Sequence, residues 1–159
     1  MNYVFDIDGT LADCSHRLHF IKPPAGTIHF NLKDVDWKPD WDSFHNSCDQ
    51  DEPIKPVLKL LHDLLPCVDN ITFLTGRPEQ SRDKTIEWFA ENAKLDVGWR
   101  DLFMRKDGDH REDYVVKREL LERMGLDKSK TIIFDDRDQV VQVLRSDGWT
   151  VFQVKNGSY

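Results

Sequence analysis

The chain has 159 residues, of which 39% are hydrophobic and 32% are charged, and its net charge is −7 at neutral pH. This length predicts one domain with a substantial core over residues 1–159, and the composition is that of a water-soluble globular protein. Since the chain contains no run of about 18 apolar residues, a membrane span is not expected. The negative charge argues against broad non-specific binding of nucleic acid.

The amino-terminal residues lead directly into an apolar stretch without the basic and apolar leader of a secretion signal. Cys14, Cys48 and Cys67 are odd in number and lack the spacing of a metal site. We interpret them as reduced thiols, which predicts a cytoplasmic protein.

The first predicted strand ends in a pair of carboxylates. Residues 1–5 are apolar, β-branched or aromatic, and the motif Asp6-Ile7-Asp8-Gly9-Thr10 follows at once. Because carboxylates two apart on a strand face the same side, Asp6 and Asp8 should converge. Such a pair suits a divalent cation, or attack on phosphorus by one aspartate while the other handles the proton. Asp-Gly-Thr is also ordinary turn chemistry.

Residues 18–52 form a long segment that we interpret as a small lid. A loop of this length is usually functional or disordered, and its tryptophans argue against disorder. The segment follows the first strand, so it would hang over the carboxylates; the alternative is an insertion that packs on the edge of the sheet. Its aromatic side chains are candidates for stacking on a base: Phe30, Trp37, Trp41 and Phe44.

Beyond residue 53 the hydrophobic pattern alternates between helical and strand periodicity. Helices are predicted at residues 54–65, 78–93, 114–124 and 139–144. Strands are predicted at residues 68–74, 102–104, 131–134 and 149–154. This alternation predicts an α/β fold, a three-layer Rossmann-like parallel sheet with helices on both faces.

Polar residues follow the predicted strands at their carboxyl ends, where sites of parallel α/β sheets form. Thr75 follows one strand, Arg105 another, and Asp135 with Asp136 a third. Their carboxylates, with Asp6 and Asp8, form a candidate Mg²⁺ site, since Mg²⁺ prefers oxygen ligands. Lys117 would supply a positive charge for phosphoryl transfer, although a helical lysine is often a solvated surface residue.

The motif Asp-x-Asp-Gly-Thr resembles the nucleophile signature of the haloacid dehalogenase superfamily of phosphotransferases. Thr75, Lys117 and the pair Asp135-Asp136 match its three further landmarks, in order. The resemblance implies a haloacid dehalogenase-like fold, Mg²⁺ as cofactor and an aspartyl-phosphate intermediate. The implied catalytic residues are Asp6, Asp8, Thr75 and Lys117.

Further motifs are similar to the 3′-phosphatase domain family of phage polynucleotide kinases, over nearly all of the chain except residues 18–52. The residues that carry the similarity include Arg17, Gly76-Arg77, Met104-Arg105, Asp113, Val115-Val116-Lys117 and Asp135-Asp136-Arg137. The resemblance implies that substrate binding or the architecture of the site depends on Arg17, Gly76, Arg77, Arg105 and Asp113. Guanidinium forks also suit a terminal phosphate dianion. Pairing with neighbouring carboxylates is the alternative for Arg77 and the expected role of Arg137.

The sequence therefore predicts a Mg²⁺-dependent phosphomonoesterase that removes 3′-phosphates from polynucleotide ends. Mononucleotide phosphatase activity, a catalytically inactive phosphate-binding module and a metal-dependent nuclease remain alternatives. An open basic groove would favour the polynucleotide, and a closed aromatic pocket the mononucleotide. No Gly-x-x-x-x-Gly-Lys-Ser/Thr motif occurs, so no kinase activity is expected in this chain. The oligomeric state is left open.

Overall fold

A computed structural model describes residues 1–23, 37–68 and 70–157. Its strands are β1 (Asn2–Phe5), β2 (Ala12–Asp13), β3 (Glu52–Pro53), β4 (Asn70–Pro78), β5 (Leu102–Arg105), β6 (Thr131–Arg137) and β7 (Thr150–Gly157). Its α-helices are α1 (Trp41–Asn46), α2 (Lys55–Leu64), α3 (Arg82–Trp88), α4 (Asp113–Met124) and α5 (Asp138–Ser146). A 3₁₀ helix spans Ser15–Phe20, shorter 3₁₀ turns span Cys48–Gln50, Leu65–Cys67, Glu79–Ser81 and Lys128–Lys130, and a π-helical turn spans Phe89–Ala93.

The predicted parallel sheet is confirmed. Five strands pair in the order β5-β4-β1-β6-β7, and every pairing between neighbours is parallel. The first strand lies at the centre, with Asn2 opposite both Asn70 and Thr131. The carboxyl ends of β1, β4, β5 and β6 therefore meet at one edge, where the polar residues were expected.

Helices cover both faces of the sheet, as predicted. Alternate residues of β1 face opposite sides: Phe5 joins a core with α2 and α3, whereas Val4 joins a core with α4 and α5. Leu61 and Trp88 fill the first layer, and both are completely buried. A central strand buried on both faces explains why its sequence is almost continuously apolar.

Three strands run at least three residues farther toward their carboxyl ends than the sequence predicts. Their observed ends are Pro78, Arg137 and Gly157, against predicted ends at Leu74, Phe134 and Val154. Pairing resumes after a bulge in each case, so that Pro78 lies opposite Arg105 and Arg137 opposite Gly157. The hydrophobic pattern stops where the side chains become polar, but the backbone pairing continues into the site.

The predicted lid starts and ends near a small antiparallel ribbon in which β2 pairs with β3. Residues 24–36 of this segment, including Phe30, lie outside the described residues. In the remainder, α1 begins after Asp40, whose carboxylate accepts a hydrogen bond from the Ser43 backbone amide at 2.9 Å. Phe44 of α1 is buried, whereas Trp41 is exposed.

None of the helices in the described part of the chain combines the length and apolar character needed to cross a membrane. The three cysteines are free, with Cys14 and Cys48 buried and Cys67 exposed.

The α2 layer offers a matched pair for testing the core. We expect Leu61→Ala to lower the free energy of unfolding by about 2–5 kcal/mol, because it leaves a cavity beneath the sheet. Leu60→Ala, on the same helix but 39% exposed, should cost less than about 1 kcal/mol. Chemical denaturation of both variants measures the difference, and equal losses would contradict the layer assignment.

Candidate active site

Three buried carboxylates converge at the carboxyl edge of the sheet. Oxygen atoms of Asp6, Asp135 and Asp136 all lie within 4.8 Å of one another. These side chains come from the ends of the adjacent strands β1 and β6, and each is at most 4% exposed. The parallel pairing of these two strands therefore creates the cluster.

Lys117 of α4 provides the positive charge that the sequence analysis expected, and it is buried rather than solvated. Its ammonium group donates to Asp6 Oδ1 and Asp135 Oδ2, each at 2.7 Å, and lies 3.3 Å from Asp113 Oδ2. Burial alone would lower the pKa of Lys117, but the surrounding carboxylates raise it well above its ordinary value. The lysine is therefore a permanent cation in this site.

One lysine does not neutralise the whole cluster. Burial raises the pKa of Asp6 well above its usual range, and the charges of Asp135 and Asp136 raise it further against the opposing effect of Lys117. The pKa of Asp135 is also raised, again chiefly by burial. An excess of negative charge on hard oxygen donors fits a divalent cation such as Mg²⁺, with Asp6, Asp135 and Asp136 as the candidate ligands.

Asp8 occupies a different electrostatic environment. Its Oδ1 accepts hydrogen bonds from Nη2 of Arg17 and Nη2 of Arg77, each at 2.6 Å. Burial would raise the pKa of Asp8, but the two guanidinium groups outweigh it and hold the pKa below the usual range. Asp8 was expected among the metal ligands; its carboxylate is instead engaged by arginines and is not part of the Asp6–Asp135–Asp136 group.

Arg17 and Arg77 are fully buried. The sequence analysis offered substrate binding or architecture as their role, and their carboxylate neighbours in the structure favour the architectural one. Each guanidinium group contacts Asp8 and also Asp51.

Asp51, only 2% exposed, is the residue at this site that sequence reasoning missed. Its carboxylate contacts Arg17, Arg77 and His16. It lies between a 3₁₀ turn and β3, within a segment rich in acidic residues, so its sequence context does not distinguish it. Only the structure shows that two buried arginines need a second carboxylate, so no signal in the sequence could have identified it.

The remaining site residues hold the walls of the site together. Arg105 donates to Gly76 O at 2.9 Å and to Asp113 Oδ1 at 3.0 Å. Burial would raise the pKa of Asp113, but Lys117, Arg137 and Arg105 lower it. Arg137 lies 3.5 Å from Asp113, the carboxylate pairing expected for it. Thr75 is fully buried, and its hydroxyl accepts the Arg77 backbone amide at 3.2 Å.

A cavity of about 420 Å³ opens onto Asp6, Asp8 and Lys117. One wall is aromatic and comes from α1: Trp41, Phe44 and His45. A second part of the lining comes from the end of β5 and the loop that follows it: Arg105, Lys106, Gly108, Asp109, His110 and Arg111. Burial lowers the pKa of His45 to about 4, so the imidazole is neutral at physiological pH, with its ring stacked on Trp41.

Comparisons with known proteins agree with this fold. A chain in the "Structure of Pnkp1/Rnl/Hen1 complex" is 26% identical with a TM-score of 0.74, over 99% of this chain and 47% of that one. A chain in the "Structure of the Pnkp1/Rnl/Hen1 RNA repair complex" is 24% identical with a TM-score of 0.69, over 99% and 43%. The chain thus spans less than half the length of either.

A haloacid dehalogenase-like hydrolase from Streptococcus pneumoniae shares the fold at a TM-score of 0.61, with 16% identity over 96% of this chain and 83% of that one. No curated protein matches the sequence significantly. The fold and the carboxylate site define a phosphatase of the haloacid dehalogenase type.

The chain belongs to the family of the polynucleotide kinase PNKP phosphatase domain, whose model matches residues 39–159. The matched range contains Thr75, Lys117 and Asp135. Asp6, Asp8 and Arg17 precede it, and their place in the site rests on the geometry described above.

Gly76 provides a test of how tightly this wall is packed. A Cβ at position 76 would collide with Asp113 Oδ1. We expect Gly76→Ala to displace Asp113 and its partner Lys117, and to lower kcat/KM by about 10- to 100-fold.

The matched control is Gly98→Ala. There a Cβ would come within 3.0 Å of only the exposed side chain of Asp101, which can turn away. Phosphatase assays compare kcat/KM of the two variants, and Gly98→Ala should keep the wild-type value. Full activity in Gly76→Ala would show that the reaction does not depend on the position of Asp113.

Proposed function

We propose that this protein is a Mg²⁺-dependent phosphomonoesterase that removes 3′-phosphates from polynucleotide ends through an aspartyl-phosphate intermediate. The observation that carries the proposal is the contrast between two neighbouring aspartates that both line the cavity. Asp6 belongs to the carboxylate cluster around Lys117, whereas Asp8 is held by two arginines. Two carboxylates in opposed environments suit two different roles.

In the first step a carboxylate oxygen of Asp6 attacks phosphorus, and the bond between phosphorus and the ester oxygen breaks. Asp8 gives its proton to the departing oxygen, which leaves as an alcohol. In the second step Asp8 takes a proton from water, whose oxygen attacks phosphorus. The bond between phosphorus and Asp6 breaks, inorganic phosphate leaves, and both aspartates are restored.

The low pKa of Asp8 keeps the group ionised in the free site, which its second role requires, although it also makes the carboxylate a weak base. The first role requires a protonated Asp8. A phosphate dianion in the cavity adds negative charge beside Asp8, which raises the pKa of that carboxyl group. Substrate binding therefore favours the acid form when it is needed.

The candidate metal ligands are Asp6, Asp135 and Asp136. When bound, Mg²⁺ would supply positive charge to these carboxylates and to phosphate oxygens. Lys117 contributes a further positive charge, and its hydrogen bond to Oδ1 fixes the orientation of Asp6. Thr10 donates to the other oxygen of Asp6, Oδ2, at 3.2 Å, which keeps the proposed nucleophile from rotating.

Two features support a polynucleotide substrate. The wall after β5 carries two exposed cationic residues, Lys106 and Arg111; because Arg111 pairs with Asp109 and Glu119, Lys106 is the better candidate for contacting a nucleic-acid backbone. Chains of two structures of the Pnkp1/Rnl/Hen1 complex, one of them described as an RNA repair complex, are similar to this chain, which also supports nucleic-acid ends as the substrate. The aromatic wall of α1 favours the second candidate, a mononucleotide phosphatase that holds the base against Trp41.

We further propose that residues 1–159 form one domain and that the segment 18–52 acts as a lid, since α1 supplies one wall of the cavity. The three free cysteines support a reducing, cytoplasmic environment. An inactive phosphate-binding module is disfavoured, because the proposed nucleophile, acid–base group and lysine are all present and in contact with the cavity.

A panel of phosphomonoesters tests the proposed substrate. We expect kcat/KM to be highest for a 3′-phosphorylated oligonucleotide, lower for a 3′-mononucleotide and lowest for a 5′-mononucleotide, because only the oligonucleotide has further phosphates that can reach Lys106 beside the cavity. Asp6→Asn, which removes the proposed nucleophile, is the control preparation and should be inactive on all three. Preference for the 5′-mononucleotide would favour the alternative, and activity in Asp6→Asn would refute the mechanism.

The metal requirement has its own test. Activity should be lost in excess chelator and restored by Mg²⁺, and Ca²⁺ should inhibit, because its longer and more flexible coordination spoils in-line alignment. At 100-fold excess over its dissociation constant, Mg²⁺ should stabilise the fold by about 2.7 kcal/mol. This stabilisation is measured as the rise in melting temperature when Mg²⁺ is added. Asp135→Asn should lose most of that rise, whereas Asp63→Asn, which changes an exposed carboxylate on α2, should keep it. Activity undiminished by chelator would refute metal dependence.

A further inference from the structure

Asp51 sits at the centre of a buried ion network beside the proposed active site. Its Oδ1 accepts from Arg17 Nε at 2.7 Å and contacts His16 Nε2 at 2.9 Å. Its Oδ2 accepts from Nη2 of Arg17 and Nη2 of Arg77, each at 2.7 Å. Both carboxylate oxygens are therefore occupied by cationic or polar partners, with no need for a ligand.

The same two nitrogen atoms connect Asp51 to Asp8. Nη2 of Arg17 and Nη2 of Arg77 each donate to Asp51 Oδ2 and also to Asp8 Oδ1. Each of these nitrogens carries two hydrogens, so each can serve both carboxylates at once. The four side chains form a closed arrangement in which two guanidinium groups bridge two aspartates.

The position of Asp51 is fixed independently of the arginines. Its backbone carbonyl accepts a hydrogen bond from the indole Nε1 of Trp88 at 2.7 Å. Trp88 is the last residue of α3 and is fully buried in the core. The adjacent strand β3 pairs with β2. Asp51 is thus anchored to the core on one side and to the ribbon on the other.

The arginines gain their remaining contacts from elements on either side of the cavity. Arg17 donates to the Phe44 carbonyl at 3.2 Å, and its guanidinium lies 4.1 Å from the centre of the Phe44 ring. Arg77 donates to the Thr85 hydroxyl at 3.2 Å. Without Asp51, these contacts would leave two buried positive charges against the single carboxylate of Asp8.

We propose that Asp51 is a positioning residue for the phosphatase reaction: it orients Arg17 and Arg77, and through them it holds Asp8 toward the departing oxygen. The inference rests on the proposed function, because it assumes that Asp8 transfers the proton. Asp8 lines the cavity and its side chain is 20% exposed, whereas the Asp51 side chain is fully buried. Asp51 therefore acts through the arginines and has no contact with substrate.

The test compares Asp51→Asn with wild type in the presence of Mg²⁺ on two phosphomonoesters. One is the 3′-phosphorylated oligonucleotide, whose alcohol leaving group needs a proton, and the other is an aryl phosphate with a good leaving group. If Asp51 acts through Asp8, kcat on the oligonucleotide should fall about 10- to 100-fold, as when a residue supporting a reacting group is removed. On the aryl phosphate kcat should change less than about 3-fold, because proton donation contributes little there.

Asp49→Asn is the matched control. Asp49 lies in the 3₁₀ turn immediately before Asp51, and its ion-pair partner is Lys84 at 3.6 Å rather than an arginine of the network. It should leave kcat on both esters near the wild-type value. A similar loss in Asp49→Asn would mean that any charge change in this turn disturbs the site, which overturns the specific role of Asp51.

A double variant separates positioning from general destabilisation. Asp8→Asn alone should lower oligonucleotide hydrolysis, and adding Asp51→Asn should lower it by less than about 2-fold more, because the two side chains act as one unit. Additive losses would overturn the proposal. Equal losses of Asp51→Asn on both esters would also overturn it, since a structural defect does not distinguish leaving groups.

If Asp51→Asn does not fold, His16→Ala takes its place. His16 is 39% exposed, and its removal deletes one contact to Asp51 while the charges of the network remain. It should lower oligonucleotide hydrolysis by about 2- to 10-fold, the value of one hydrogen bond, and spare the aryl phosphate. An unchanged ratio between the two esters overturns the inference. A wild-type protein that hydrolyses neither ester overturns the proposed function itself.

Discussion

The structure depends on the neutralisation of carboxylates buried at one edge of a parallel sheet. An uncompensated ion in such a place costs several kcal/mol, so these carboxylates need positive charge close by, from Lys117 and the buried arginines. The partners come from far along the chain: Lys117 is 111 residues from Asp6, and Arg77 is 69 residues from Asp8. The placement of α4 and β4 around β1 is what brings these charges together.

The same constraint divides the motif at the end of β1 into two chemical environments. Asp6 shares its cation with other carboxylates, and its pKa is raised; Asp8 has two guanidinium groups, and its pKa is lowered. Because the two residues are separated by only Ile7, this contrast cannot come from their position on the strand. It comes from which elements pack against each side chain, and it gives the proposed mechanism its asymmetry.

The sequence predicted the parallel sheet, the strand-end carboxylates and the family, because each depends on local periodicity or a compact motif. It did not predict that Arg17 and Arg77 would be buried in an ion network, since a guanidinium beside acidic motifs suits a phosphate equally well. Asp51 was missed for a related reason. Its importance arises only from two partners that are 34 and 26 residues away in the chain, and nothing local marks it.

The central position of β1 also determines when the site can form during folding. Asn2 pairs with residues 68 and 129 positions later, so β1 gains its first neighbour with β4 and its second only when β6 is available. Contacts at such separation close slowly, because the loop entropy is lost before the contacts compensate it. The proposed nucleophile Asp6, which directly follows β1, and its neighbour Asp135 on β6 therefore come together late in folding. A nascent chain still lacking β6 has no carboxylate cluster, and the chemistry of the site is acquired only with the last part of the sheet.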